Sequence, residues 1–133
     1  MKILIDTNVI IDTLAIREPF NEQSDKIFEL AAKDVIEGCI LTSSVIDIYY
    51  LLRKQFNDAE RRKKIQTLLD LFQVIEVTKN DCLNALQSSM PDFEDTLIFV
   101  CVDREDIDFI VTRDIEFLKL AKAISPSEFY EMI

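Results

Sequence analysis

Short aliphatic runs alternate with longer stretches of helical period along this chain, and that rhythm leaves few folds open to it. Lys2 to Ile5, Cys39 to Thr42, Val74 to Val77 and Phe109 to Val111 are mostly continuous apolar runs. Strands with one wet face alternate in polarity; runs like these suit strands buried on both faces, as in a parallel sheet covered by helices. A short fifth strand at Ala123 and Ile124 is expected, because Ser125-Pro126-Ser127-Glu128 follows as a helix start with its cap, N1 proline and N3 glutamate.

The intervening segments read as helices. From Ser24 to Val35, Ile27, Leu30, Ala31 and Val35 fall on one side, while Asp25, Lys26, Glu29 and Lys33 fall largely on the other. Similar stretches run from about Ser44 to Lys54, Asp58 to Phe72, Asn80 to Ser88 and Phe93 to Arg104. The expected architecture is therefore α/β, an α/β/α sandwich around a central, mostly parallel sheet of four to five strands. At 133 residues without a linker or repeat, the chain fits one domain over 1–133.

Two absences narrow the chemistry. The chain has no histidine, which removes Ser-His-Asp and Cys-His arrangements and the usual zinc ligand sets. Its one glycine, Gly38, cannot write a dinucleotide fingerprint or a phosphate-cradling loop. Carboxylates and hydrated metal remain. Cys39, Cys82 and Cys101 are widely spaced and read as free thiols. No apolar run approaches the ~20 residues of a membrane span, and the opening run is cut by Asp6 before it could serve as a signal core. A cytoplasmic protein with no membrane role is expected.

A net charge of −10 argues against gripping nucleic acid over a broad basic face. Local charge is a separate matter. Arg53, Lys54, Arg61, Arg62, Lys63 and Lys64 gather six of the 15 basic residues in one stretch, either a patch facing phosphates or a solvated helix face.

In open parallel sheets, ligands bind beyond the carboxyl ends of the strands. There the sequence places Asp6 after the first strand, Asp47 one turn into the helix after the second, and Asp114 after the fourth. Asp95, early in the Phe93 helix, can point back to the same edge. Each acid has a plainer reading. Asp6, Asp92 and Asp114 suit helix caps, and Ser44-Val45-Ile46-Asp47 reads as a capping box closed by an aspartate. Capping does not predict convergence. Several carboxylates near one point repel unless a cation neutralises them, and an all-oxygen donor set favours Mg2+ or Mn2+. Such an ion supplies what phosphodiester hydrolysis needs.

Met-Lys-Ile-Leu-Ile-Asp-Thr-Asn-Val-Ile-Ile-Asp, from Met1 to Asp12, resembles the opening of PIN-domain ribonucleases, especially VapC-like toxins of toxin-antitoxin pairs. Arg17-Glu18-Pro19-Phe20, Ile48 to Lys54, Asp92-Phe93-Glu94-Asp95 and Ile110-Val111-Thr112-Arg113-Asp114 continue the likeness in the family's order. The resemblance implies a metal-dependent endoribonuclease whose metal and catalytic acids are Asp6, Asp95 and Asp114, with Asp47 where many relatives carry glutamate. It also implies Asn8 and Thr112 as supporting hydrogen-bonding residues, with Glu94, Asp92 and Glu116 as lesser candidates; Arg53 and Lys54 of the basic stretch, with Arg113, are the residues expected to face RNA. An RNA substrate, a small antitoxin protein and a homodimer are the partners it implies. Two rivals stand beside it. A phosphotransfer protein using Asp6 lacks the second acid two residues on, where Asn8 stands, and the late lysine of a receiver domain. A catalytically weak or inactive PIN-fold module that binds RNA or protein draws support from the shorter acid at Asp47.

Overall fold

The computed structural model describes residues 1–133. The chain runs β1 (Lys2–Ile5), α1 (Thr7–Leu14), α2 (Asn21–Ala32), β2 (Glu37–Leu41), α3 (Thr42–Leu51), α4 (Asp58–Leu71) and β3 (Gln73–Ile75). It continues with α5 (Lys79–Leu86), α6 (Phe93–Arg104), β4 (Phe109–Val111), β5 (Ala123–Ile124) and α7 (Pro126–Met132). Short 3-10 turns at Leu52–Lys54 and Phe117–Lys119 extend α3 and follow β4. No helix is long and apolar enough to cross a membrane.

All five strands are parallel, in the order β3-β2-β1-β4-β5. The aliphatic runs have the two-sided burial that their continuity predicts. Ile3 and Ile5 of β1, Ile40 of β2 and Val111 of β4 join a core of 16 buried residues with side chains from α1, α2, α3, α4 and α7. Their strand neighbours Leu4, Cys39, Leu41 and Ile110 turn to a second core of nine, closed by Cys101 and Val102 of α6 and by Phe117. Each such side chain withdrawn from water contributes about 1.5–3 kcal/mol before the entropy of ordering is set against it.

The helices take opposite faces for a reason of handedness. The chain moves outward from β1 through β2 to β3, then returns to lay β4 on the other side of β1. Right-handed crossovers that reverse direction across a sheet must change face. The reversal falls between β1 and β4, and it opens a crevice at their carboxyl ends.

Several boundaries differ from expectation. Strand β2 starts at Glu37, and Thr42 opens α3 instead of closing the strand. Strand β3 is displaced one residue earlier and stops at Ile75. Helix α2 starts at Asn21 and ends at Ala32, so Val35 lies beyond it on the surface and not in the apolar stripe. Asp34 takes a left-handed conformation there (φ 56°), as Ile16 (52°), Asp106 (52°) and Lys122 (66°) do elsewhere. Glycine is the usual residue for such a backbone, and none of these is one.

The single glycine serves a different purpose. A Cβ on Gly38 would lie 2.6 Å from Cδ1 of Phe72, so β2 can receive the Phe72 ring at the end of α4 only where no side chain intervenes. The three cysteines are free, and burial pushes the thiols of Cys39 and Cys101 up to about 11.

Candidate active site

Asp6 follows β1 directly and ends it by capping α1. Its Oδ1 accepts the Thr7 amide at 2.8 Å, and its Oδ2 accepts the hydroxyl of Thr112 at 2.8 Å. The Asp6 amide meanwhile donates to the carbonyl of Val111 at 2.9 Å, carrying the β1–β4 ladder one step past the strands. Thr112 is fully buried, and its Oγ1 accepts the amide of Asp114 at 3.1 Å. One hydroxyl thus joins the backbone of one acid to the carboxylate of the other. Asp114 in turn receives the amides of Glu116 and Phe117 on Oδ1, at 3.0 and 3.4 Å, and starts the short turn that follows β4.

Asp95 arrives from the other face of the sheet. Asp92 caps α6 by accepting the Asp95 amide on Oδ1 at 3.0 Å, which sets Asp95 in the first turn. The Asp95 carboxylate itself meets no protein donor. Asp47 is reached from the β2 edge. The capping-box reading of Ser44 and Asp47 is overturned, because α3 starts three residues earlier than that reading requires and Leu41 occupies the cap position without a side-chain bond. Asp47 is exposed and makes no hydrogen bond within the protein, so capping does not explain it.

All four acids line one cavity of about 370 Å3, together with Glu94, Thr7, Asn8, Ser43 and Ser44. The apolar part of its lining is Leu41, Tyr50, Leu51, Val77, Leu97, Ile98 and Phe117. Electrostatics register the convergence. Burial raises the Asp6 carboxyl above its ordinary range, opposed by the Thr112 hydrogen bond, and the charge of Asp114 adds to the rise. Asp95 is also raised, first by burial and then by Asp92, Glu94, Asp114 and Asp6. Carboxylates from β1, β4 and α6 therefore feel one another across the crevice. They share a cavity without sharing a coordination shell, since no three of them stand close enough to clasp one ion as placed. The donor set is nonetheless all oxygen, anionic and free of competing cations, which suits a hard divalent ion.

The other expected residues are divided. Asn8 lines the cavity, whereas Asp92 and Glu116 do not; Glu116 pairs with Lys119 at the surface. Arg113 does not offer a free guanidinium: Asp12 holds it through both oxygens, and it lies over the ring of Phe20 at 4.1 Å. Much of the expected basic patch is also engaged locally. Arg62 pairs with Asp58, Arg61 lies over Tyr49, and Lys64 over Phe56. Arg53 and Lys54 stay exposed with no carboxylate partner. Two residues escaped the sequence reading. Tyr50 follows Asp47 by three positions on α3, a spacing that places both on one helix face. Asp12, a lone acid among the apolar residues of α1, carried no spacing signal that distinguished it.

A profile of the PIN domain matches residues 2–116. The chain belongs to the PIN domain family. No curated protein matches the sequence significantly. Among solved structures, the fold is similar to that of VapC20 from Mycobacterium tuberculosis, a sarcin-ricin loop cleaving toxin. That comparison has a TM-score of 0.70 at 13% identity, covering 90% of this chain and 95% of the other. VapBC2 from Rickettsia felis, solved with a DNA fragment from its promoter, gives 0.66 at 17% identity, covering 94% and 97%. A toxin-antitoxin complex from Klebsiella pneumoniae gives 0.67 at 15% identity, covering 92% and 96%.

Proposed function

We propose that this chain, as a single domain over 1–133, is a metal-dependent endoribonuclease and the toxin of a toxin-antitoxin pair. The observation that carries the reading is the convergence of Asp6, Asp47, Asp95 and Asp114 on one cavity at the point where the strand order reverses. Family membership and the toxins among its structural neighbours support it.

The four acids would hold Mg2+ or Mn2+. When bound, the ion supplies water activation and neutralises charge on the leaving oxygen of a phosphodiester. The protein's own contribution is orientation. Thr112 holds the Asp6 carboxylate toward the cavity and fixes the amide of Asp114 in the same gesture. Asn8, Ser43 and Ser44 supply polar groups at the rim for the ribose and phosphate oxygens. Asp95 and Asp47, with no hydrogen bonds of their own to the protein, bring charge that only a cation or a proton relieves. A small antitoxin protein, self-association and a cytoplasmic setting complete the proposal.

Asp95→Asn is the cleanest test, because its side chain holds no structural hydrogen bond. Structured RNA should be cut by the parent protein with Mn2+ or Mg2+, spared in chelator, and spared by the variant. Cleavage that persists in chelator sinks the metal mechanism. One observation favours a second reading, a binding module without turnover: the acids do not form a ready coordination shell. Calorimetry with Mn2+ alongside the cleavage assay separates the two, since the module would leave RNA intact whether or not the ion binds.

A further inference from the structure

The acids of the cavity account for phosphodiester chemistry and leave its apolar lining without a role. Tyr50 belongs to that lining. It lines the cavity and yet is 58% exposed, although a phenol ring on a core-facing helix would ordinarily be packed away. Its neighbour on the same helical ridge, three residues on, is Arg53. The Arg53 guanidinium lies 3.7 Å from the centre of the Tyr50 ring, and its Nη1 donates to the Tyr50 carbonyl at 3.0 Å. The cation therefore covers one side of the ring, and the exposed surface belongs to the rest.

Charge makes this pair more than a surface contact. The cavity lining contains five acids and no cation, in a chain whose net charge is −10. A polyanion that enters needs a positive group beside it; Arg113 is taken by Asp12 and Arg62 by Asp58, and of the remaining cations Arg53 is the one in contact with a residue of the cavity lining. Arg53 touches a cavity residue and has no carboxylate partner. Aromatic rings and guanidinium planes are the platforms on which unpaired bases stack, and a side-chain platform contributes about 1–3 kcal/mol per base.

We propose that Tyr50 and Arg53 form a nucleobase subsite, in which an unpaired base next to the scissile phosphate stacks on Tyr50 while Arg53 neutralises the adjoining phosphate. The proposal rests on the ribonuclease reading and deepens it, since it makes the preferred substrate a single-stranded or looped-out segment of RNA.

The test measures binding, so it does not depend on turnover. The full chain carrying Asp95→Asn, in Mn2+ buffer, is titrated into a fluorescein-labelled single-stranded RNA decamer and followed by anisotropy. A set of decamers with one abasic position each is titrated in parallel. Adding Tyr50→Ala should weaken binding about tenfold, while Tyr50→Phe, which keeps the ring, stays within about twofold. One abasic position should weaken the parent equally and then be insensitive to Tyr50→Ala. Arg53→Gln should lower the salt dependence of binding by about one ion, whereas Lys54→Gln should leave the abasic pattern unchanged. Equal affinity of the Tyr50→Ala and parent forms, with circular dichroism unchanged, overturns the subsite, as does failure of the parent to bind the decamer at low salt. Loss of binding in Tyr50→Ala with no cleavage by the wild-type protein would retain the subsite and remove the ribonuclease reading.

Discussion

Both carboxylate oxygens of Asp12 are held by Arg113, Oδ2 to Nε at 2.6 Å and Oδ1 to Nη2 at 2.9 Å, with Asp12 only 1% exposed. The pair ties α1, which begins at the cavity, to the residue between Thr112 and Asp114. Arg17 approaches the same carboxylate at 3.8 Å and cannot replace the fork.

Removing the cation from this pair leaves a buried carboxylate uncompensated. Arg113→Ala is expected to cost about 3–5 kcal/mol of unfolding free energy. Arg113→Lys is expected to recover only part of that, because a lysine offers no planar, two-pronged donor. Urea denaturation measures both, and a loss below about 1 kcal/mol in Arg113→Ala would show that Arg17 and water suffice.

Like charges crowd the cavity, so the metal-free protein should be held below the stability its core permits. Asp95→Asn removes the acid on which Asp92, Glu94, Asp114 and Asp6 all act, and should stabilise the protein in chelator by about 0.5–2 kcal/mol. Added Mn2+ should raise the melting temperature of the wild-type protein and leave the variant nearly unmoved. The raised carboxyl groups give a matching pH effect. The folded state takes up protons before the unfolded state does, so metal-free stability from this source rises as pH falls through those raised values and is complete below the unfolded carboxylate range. A variant that melts earlier than wild type in chelator contradicts the account.

On the opposite face, Arg104 grips Asp81 at 2.9 and 3.0 Å, and the Thr78 amide adds a third bond. The Arg104 hydrogen bond, foremost, holds the Asp81 carboxyl down to about 2 despite its burial. Its unfolded value is about 3.9. The folded value is the lower one, so this stabilisation is complete above about pH 4 and is lost as pH falls through about 2. Asp81→Asn should cost about 1.5–3 kcal/mol at neutral pH and flatten the fall of stability across that acid window. An unchanged slope there would assign acid unfolding to other carboxylates.

Gly38 and Phe72 make a steric prediction. Gly38→Ala sets a methyl 2.6 Å from the Phe72 ring, an overpacking expected to cost about 1–3 kcal/mol. Phe72→Leu should cost less in the Gly38→Ala background than in the wild type, and strict additivity in that double-mutant cycle would deny the contact.

Much of this fold is written in local pattern. Continuous apolar runs mark β1 and β4 to the residue, the helix start at Ser125 delimits β5, and the cap at Asp92 fixes the start of α6. The start of α3 was illegible because Leu41 occupies its cap position and offers no side-chain signal; the nearby serines suggested a later start. Helix α1 was missed as an element, its apolar residues too continuous to show a stripe. In the site, Asp6 and Asp114 are found by the rule that places ligands past strand ends. Asp95 could be reached only through its resemblance to a motif, because nothing in a helix's first turn says which crevice it faces. The Asp12–Arg113 pair spans 101 positions, a distance over which a single sequence carries no pairing signal.

The left-handed residue Ile16, φ 52°, stands just past the end of α1. For a branched side chain that backbone costs about 1–2 kcal/mol, so α1 does not stop where its own residues would choose. Its end is closed locally by the Arg17 amide on the Asp12 carbonyl at 2.9 Å, and held from far along the chain by Arg113 on the Asp12 carboxylate. During synthesis, then, the first twenty residues emerge with the backbone bonds that close this helix but without the guanidinium that compensates its buried acid. The acid that opens the cavity waits for the last quarter of the chain before the helix behind it is set.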